Sequence, residues 1–157
     1  MDCSHIQFQY TDALNIVQLE QLMDLFQAAA FWASDRTAED MALAIAHSHP
    51  VVTVWDRGDL IGFARATSDG VYRATIWDVV IHPDYQGAGL GRKLVQTVLG
   101  HPIMSRIERV YLMTTNQQAF YKRIGFQENQ TTTMVLFHQE IEPIPTLATN
   151  EREQAPQ

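Results

Sequence analysis

The chain has 157 residues, a formal net charge of −7 at pH 7, 46% hydrophobic residues and 18% charged residues. That length suits one domain with a sizeable core, and the acidic balance argues against broad attraction to nucleic acid or to an anionic membrane. The lone Cys3 forms no intramolecular disulfide, and the scattered histidines predict no metal site. Neither a leader pattern nor a membrane-length apolar run is present, so the sequence predicts a cytoplasmic protein without a membrane span.

The first elements follow from alternation and from helical spacing. HIQFQY, residues 5–10, alternates polar and apolar side chains and is typical of a strand. Thr11 or Asp12 then caps a helix that runs to about Ala30. FWASDR, residues 31–36, combines aromatic and polar side chains and predicts a loop.

A second helix and three strands come next. Thr37, with Asp40 three positions later, resembles a capping box for a helix through Ala46. Turn signals at RGD and SDG separate three apolar or β-branched runs, which predict a meander of strands at residues 51–56, 60–67 and 71–81.

The last third of the chain adds a helix, a strand, a helix and a strand. A helix follows the glycine-rich run, and the later elements are a strand at 109–114, a helix at 117–124 ended by Gly125, and a strand near 133–139. This order predicts an α/β (α+β) domain over residues 1–141. Residues 142–157 are rich in Pro, Thr, Asn, Glu and Gln and predict a flexible tail.

Three alternating glycines stand between a buried strand and a helix, at Gly87, Gly89 and Gly91. The dinucleotide fingerprint requires glycine where Arg92 stands, and the P-loop pattern is also absent here. The backbone N–H groups of residues 87–92 suit a pyrophosphate at a helix start, and Arg92 and Lys93 add positive charge. The alternative is that the glycines only form a tight turn.

Asp78 is a carboxylate within the apolar run TIWDVVI, where burial is unfavourable unless the charge is paired or used. Strict alternation places Asp78, Val80 and His82 on one strand face, although a bulge would break that parity. Asp78 is therefore a candidate general base or a structural hydrogen-bond acceptor. His82 is a weaker candidate base, since it also fits a surface loop.

Two motifs carry a resemblance to a known family. QGAGLG, residues 86–91, matches the Q/R-x-x-G-x-G/A signature of the GNAT superfamily of acyl-CoA-dependent N-acetyltransferases, and AFYKRIGF, residues 119–126, is similar to its second signature. The element order resembles this superfamily over roughly residues 5–140. The stretch at residues 62–91 is similar to plant chloroplast and cyanobacterial members associated with serotonin and other arylalkylamines.

The resemblance implies a mixed, mostly antiparallel sheet flanked by helices, with splayed central strands that hold acetyl-CoA. It places pantetheine on the backbone of Val79, Val80 and Ile81, and pyrophosphate on Gln86, Gly87, Ala88, Gly89, Leu90, Gly91 and Arg92. Asn116 either contacts CoA or caps the last helix. The resemblance implies that Tyr121 contacts CoA and is the acid that protonates the leaving thiolate. The alternative is that Tyr121 packs in the core beside Phe120 and Phe126.

The resemblance also implies an acceptor site and a reaction. The acceptor cleft borders Phe31 and Trp32, whose rings suit a small arylalkylamine; the alternative is that these two rings close the core under the first helix. The amine attacks directly, with Asp78, His82 or water as base. The implied partners are acetyl-CoA and a small amine, and the resemblance is compatible with a homodimer. No metal, nucleic acid or membrane partner is expected. A protein lysine or N-terminal acetyltransferase and a non-catalytic acyl-CoA-binding regulatory domain are the alternatives.

Overall fold

Five strands form one sheet whose spatial order follows the chain order in the computed structural model, which describes residues 1–138. The strands are β1 (Ile6–Thr11), β2 (Val51–Asp56), β3 (Asp59–Ser68), β4 (Arg73–Ile81) and β5 (Arg109–Leu112). Three neighbouring pairs are antiparallel, and β5 lies parallel to β4. The predicted meander and the mixed, mostly antiparallel sheet are therefore confirmed.

Helices cover both faces of this sheet. They are α1 (Ile16–Ala29), α2 (Ala38–Ala46), α3 (Leu90–Gly100), α4 (Pro102–Ser105) and α5 (Gln118–Ile124). One core cluster packs α1 and α2 against the sheet, and a second packs α3 and α4, with α5 side chains at its margin. The short α4 was not predicted. Its first residue is Pro102, and the His101 side chain accepts a bond from the amide of Ile103.

The predicted cap of the first helix is wrong. Thr11 ends β1, and α1 begins after Asn15, whose side chain accepts from the amide of Gln18 while the Gln18 side chain accepts from the amide of Asn15. This reciprocal pair satisfies two groups that a helix start otherwise leaves unbonded. Thr37 does cap α2, by accepting from the amide of Asp40.

Gly62 marks the closest approach of β3 to its neighbours. A Cβ at this position would lie 2.8 Å from Cδ1 of Ile81 and 2.9 Å from Cγ2 of Val54. Real Cβ atoms do not approach other atoms so closely. The end of β4 is therefore packed on a position that only glycine fits without movement.

The predicted last strand is wrong for the residues that can be described. Residues 133–138 form neither helix nor strand, and Gln139 lies outside the described range. The chain divides into one compact unit at Met1–Gln127 and a second that begins at Glu128. The apolar run at residues 134–137 gives this segment strand propensity, but a strand forms only where its backbone is paired. The tail predicted at 142–157 also lies outside the described residues.

Candidate functional site

The glycine-rich run forms a loop that connects β4 to α3. A short 3₁₀ turn at Pro83–Tyr85 leads into it, and the backbone then adopts the left-handed conformation at Gly87, with φ of 84°, and at Gly89, with φ of 78°. Gly89 is the N-cap of α3 and bears no capping side chain. Glycine adopts these φ values without the steric penalty that a Cβ imposes.

The backbone amides of residues 87–92 have no hydrogen-bond acceptor in the described part of the chain. The first bond of α3 runs from the amide of Lys93 to the carbonyl of Gly89, at 3.2 Å. Within residues 1–138, no backbone or side-chain oxygen accepts from the amides at 87–92. We call these residues the cradle. Unbonded amides at the start of an 11-residue helix, together with its dipole, form an environment that favours an anion.

Side chains around the cradle differ in their use. A Cβ at Gly91 would meet Cζ of Phe120 at 3.5 Å, an ordinary van der Waals contact, so packing between α3 and α5 does not by itself require glycine here. Lys93 does not point its charge into the cradle, because its Nζ lies 4.7 Å from the centroid of the Phe8 ring on β1. Arg92 is exposed beside the cradle.

Two side chains anchor the approach to the cradle. Nε2 of Gln86 donates to the carbonyl of Ile81 at 3.0 Å, so this amide folds back on the end of β4. The Tyr85 hydroxyl donates to Oδ2 of Asp56 at 2.5 Å, and this carboxylate raises the pKa of the phenol. The approach to the cradle is thereby tied to both β4 and β2.

A bulge interrupts β4 where the sequence predicted that parity could break. Asp78 and Val79 lie opposite the single Ala64 of β3, and Asp78 has a φ of 58°. Before the bulge Ile76 packs in the core that includes α3; beyond it Val79 packs there, while Val80 packs in the core that includes α1. The bulge therefore reverses which side chains face α3.

The β4 and β5 strands separate just before this bulge. Their pairing ends at Ile76 and Leu112, although β4 continues to Ile81. The backbone of residues 79–81 therefore has no β5 partner and borders the approach to the cradle. This is the geometry expected of the splayed strands. The contact of residues 79–81 with pantetheine stays a prediction.

Asp78 is almost completely buried and is paired with two arginines. Its Oδ2 accepts from Nη1 of Arg36 at 2.8 Å and from Nε of Arg65 at 2.7 Å, and its side chain is 3% exposed. Such pairing compensates the loss of hydration that an isolated buried carboxylate would suffer. We call these three residues the clamp.

Arg36 connects the clamp to the aromatic segment between α1 and α2. Its guanidinium carbon lies 5.4 Å from the centroid of the Trp32 ring and 5.7 Å from that of Phe26. Phe31 is 80% exposed and Trp32 is 48% exposed, whereas the following Ala33 is buried. Neither Phe31 nor Trp32 closes the core, so the alternative reading of these two residues is not supported.

His82 lies beyond the end of β4 and caps the turn that follows. Its Nδ1 accepts from the amide of Asp84 at 3.1 Å. In the part of the chain that is described, His82 makes no hydrogen bond or ion pair with Asp78. The structure therefore does not join the two candidate bases.

Tyr121 lies on α5 with its ring packed between two phenylalanines of the same motif. The ring contacts Phe120 at 5.0 Å and Phe126 at 5.9 Å between centroids, and burial raises the pKa of the phenol. No residue between 1 and 138 hydrogen-bonds the hydroxyl. The ring thus has the packing role considered as the alternative, while the hydroxyl keeps its proton and can still donate it.

Asn116 is exposed and does not cap the last helix. The N-cap of α5 is Gln117, whose amide donates to Oγ1 of Thr114 at 3.1 Å. The capping alternative for Asn116 is wrong, and its contact with CoA stays a prediction.

Sequence reasoning missed the two arginines of the clamp. The available signal was Asp78 itself, because a carboxylate in an apolar strand requires a cationic or hydrogen-bonding partner. Which arginines would supply it was not readable, since Arg36 and Arg65 lie 42 and 13 positions away along the chain. Among residues 1–138, no three His, Cys, Asp or Glu side chains are grouped to hold a metal, and no helix is long and apolar enough to cross a membrane.

Comparisons with known proteins agree with this geometry. The chain is 36% identical over 121 residues to the uncharacterized N-acetyltransferase ycf52 of Porphyra purpurea, which covers 74% of this chain and 67% of that protein. It is 44% identical over 69 residues to histone acetyltransferase TAP1 of Glycine max, covering 43% of this chain and 30% of that protein. The chain thus spans two thirds or less of these relatives.

A solved structure shares the fold. The GNAT family acetyltransferase SP0256 from Streptococcus pneumoniae TIGR4 superposes with a TM-score of 0.71 at 25% identity, over 86% of this chain and 99% of that one. The model of the acetyltransferase (GNAT) family matches residues 19–126, which include the bulge, the cradle and Tyr121. The chain belongs to the acetyltransferase (GNAT) family.

Proposed function

We propose that this protein transfers the acetyl group of acetyl-CoA to the primary amine of a small arylalkylamine such as tryptamine or serotonin. The observation that carries the acetyl-CoA half is the position of the cradle, whose unbonded amides follow the unpaired end of β4. The exposed Phe31 and Trp32 support the acceptor half.

The residues present fit acetyl-CoA. The amides of residues 87–92 can bond the oxygens of a pyrophosphate, and exposed Arg92 adds charge beside them. The backbone of residues 79–81 can pair with the amide groups of pantetheine as a missing strand would. When bound, acetyl-CoA supplies an activated acyl carbon and a thiolate leaving group.

Tyr121 is proposed as the proton donor. Burial raises the pKa of its phenol, so the proton is present at neutral pH and is available to the departing sulfur. The amine nitrogen forms the new bond to the acyl carbon as the C–S bond breaks, and the sulfur takes the phenol proton. The nitrogen then gives up its surplus proton, which restores Tyr121 and balances the reaction.

Water is the base that the local hydrogen bonding favours. Oδ2 of Asp78 is shared by two guanidinium groups, and Nδ1 of His82 already accepts from a backbone amide. Within residues 1–138, Asp78 and His82 also make no hydrogen bond or ion pair with each other, so neither activates the other as a base. An arylalkylammonium with a pKa near 10 can lose its proton to water before it attacks.

The segment at residues 31–36 is proposed to receive the aromatic part of the acceptor. An exposed aromatic face stacks on an indole or phenyl ring, and such a pair contributes about 0.5–1.5 kcal/mol beyond burial. The net charge of −7 favours the approach of a protonated amine, although salt screens this attraction.

A panel of acceptors tests this function. Purified protein and acetyl-CoA are assayed with tryptamine, serotonin, putrescine and a lysine-containing histone peptide, and the two arylalkylamines are expected to give the highest kcat/KM. The name of the Glycine max relative makes a protein lysine the second candidate, which a faster peptide reaction establishes instead. Binding of CoA without turnover of any amine selects the regulatory domain.

The assembly and the compartment remain part of the proposal. Light scattering of the purified chain measures whether it forms the homodimer that family resemblance admits. A cytoplasmic location is proposed from the sequence pattern alone.

A further inference from the structure

We propose that Asp78 is a positioning residue that holds the acceptor-side segment, residues 31–36, against the β4 bulge through Arg36. The proposal rests on the proposed function, because that function gives this segment its contact with the acceptor. It assigns Asp78 a role other than that of a base.

One carboxylate oxygen joins three separate parts of the chain. Arg36 comes from the connection between α1 and α2, Arg65 comes from β3, and Asp78 itself is the bulge residue of β4. Because both guanidinium groups bond the same Oδ2, the aromatic segment and the sheet share a single anchoring point.

The two arginines differ in how firmly they are held. Arg65 has a side chain 14% exposed and donates through Nη1 to Oγ of Ser48 at 3.2 Å, with the Trp77 ring 6.0 Å away. Arg36 has a side chain 32% exposed, and Asp78 is its one carboxylate partner within residues 1–138. Removing Asp78 therefore leaves Arg65 its contact with Ser48 and leaves Arg36 without an anionic partner.

Arg36 transmits this anchoring to the aromatic segment. Its guanidinium lies near the rings of both Trp32 and Phe26, and the Phe26 side chain is buried in the core. Trp32 is half exposed, so its position depends on the stack that Arg36 completes. Loss of the bond between Arg36 and Asp78 is expected to free Trp32 rather than to unfold the sheet.

The same carboxylate also supports the bulge. Asp78 holds a φ of 58°, a left-handed conformation that side-chain-bearing residues seldom adopt although Asp tolerates it better than most. Its two ion pairs fix this residue next to the backbone of residues 79–81. The clamp thus sets the distance between residues 31–36, proposed to contact the acceptor, and the backbone of residues 79–81, proposed to contact pantetheine.

Arg36→Gln is the primary test, because Arg36 is the most exposed member of the clamp. In this variant the buried Asp78 carboxylate still pairs with Arg65. The exposed Arg73, paired with Glu108, provides the control Arg73→Gln. We expect Arg36→Gln to raise the KM of the best acceptor in the panel about tenfold, with kcat within about threefold and the KM of acetyl-CoA unchanged. Arg36→Lys should restore part of the loss, and Arg73→Gln should match the parent.

Hydrogen exchange of the amides at 31–36 gives a readout that needs no acceptor. Exchange is expected to be about tenfold faster in Arg36→Gln and unchanged in Arg73→Gln. Parental exchange rates in Arg36→Gln overturn the proposal. Faster exchange in a protein that acetylates no arylalkylamine supports the clamp and overturns the acceptor assignment instead, so the two failures are distinguishable.

Asp78→Asn separates positioning from base catalysis. A positioning role predicts a raised acceptor KM, an unchanged dependence of kcat/KM on pH, and little further loss when Asp78→Asn is added to Arg36→Gln. A loss confined to kcat, with the pH profile altered, shows that Asp78 is the base and overturns the proposal. If Asp78→Asn does not fold, the Arg36→Gln exchange and KM measurements decide.

Discussion

The cradle and Asp78 of the clamp lie at opposite ends of one short stretch, residues 78–92, yet their polar groups are used in opposite ways. At residues 87–92 the backbone amides have no acceptor in the described chain, whereas at Asp78 a buried carboxylate is bonded by two guanidinium groups. Polar groups that the fold leaves unbonded are available to a ligand. Polar groups that satisfy one another instead fix the position of their neighbours.

This contrast reassigns roles among the residues that sequence motifs single out. Asp78 is conspicuous in the sequence because it is a charged residue in an apolar strand. In the structure its charge is neutralised by ion pairs with Arg36 and Arg65. Tyr121 is conspicuous through its motif. Like the amides of the cradle, its hydroxyl has no hydrogen-bond partner within residues 1–138 and is available to a ligand.

The largest effect is expected from Tyr121→Phe, which removes an available hydroxyl and keeps the packed ring. Loss of a general acid lowers kcat about 10²- to 10⁴-fold, while CoA affinity and the melting temperature stay near those of the parent. Because burial raises the pKa of Tyr121 above its usual value, the parent keeps this acid protonated throughout the neutral range. Steady-state kinetics measure the change. An unaltered kcat assigns Tyr121 to packing alone.

The next largest effect concerns the cradle. Gly89→Val places a β-branched side chain beside the amides and is expected to abolish the stabilisation by CoA, about 2.7 kcal/mol at a 100-fold excess over Kd. Valine at a φ of 78° also strains the free protein, so the ligand-induced increment is compared rather than the melting temperature itself.

Gly58→Val is the matched control for this strain. Gly58 has a φ of 94°, open space around its Cβ position and a place in the turn between β2 and β3. It should lose stability as Gly89→Val does and yet retain the full CoA increment in calorimetry. Equal increments in both variants remove the cradle from the ligand site.

Gly62→Ala tests the close packing under the end of β4. The new Cβ would meet side-chain atoms of Ile81 and Val54 at under 3 Å, so these side chains must move, at a cost of about 1–3 kcal/mol. For a chain of this length that lowers the melting temperature by roughly 2–4 °C per kcal/mol. Gly100→Ala has open space around the new Cβ and should leave the melting temperature unchanged or higher.

The smallest effect is expected at the proposed acceptor segment. Trp32→Ala should narrow the ratio of kcat/KM for tryptamine over putrescine by about 2- to 12-fold, which corresponds to the 0.5–1.5 kcal/mol of one aromatic pair. Tyr72→Ala removes a similarly exposed aromatic residue from the turn between β3 and β4 and serves as the control. A ratio that stays at its parental value separates Trp32 from acceptor recognition.

Elements fixed by local pattern were predictable from the sequence. Strand β2 and the start of α2 lie where the turn signal and the capping residue Thr37 placed them, since both signals act within a few residues. The start of α1 was misplaced because Thr11 and Asn15 both fit a cap, and the pairing of β1 with β2 extends through Thr11. The strand predicted near 133–139 is absent over residues 133–138, because an apolar run does not show whether a partner strand is present.

The candidate site divides in the same way. The cradle was predictable because its glycines and the helix behind them are contiguous in sequence. The clamp was not, since its members come together only when β3, β4 and the connection before α2 are packed. Burial of Asp78 indicated that a partner must exist, but tertiary packing determines which cation supplies it.

The proposed function requires that the amides of residues 87–92, which have no acceptor within residues 1–138, bond the pyrophosphate of CoA. Hydrogen exchange of these amides in the full chain, measured with and without saturating CoA, tests it most directly. Exchange at residues 87–92 is expected to slow at least about tenfold on addition of CoA, while the control amides of the turn at Asp69, remote in sequence from the cradle, keep their rates. Unchanged exchange at residues 87–92, in a sample that calorimetry shows to be saturated with CoA, contradicts it.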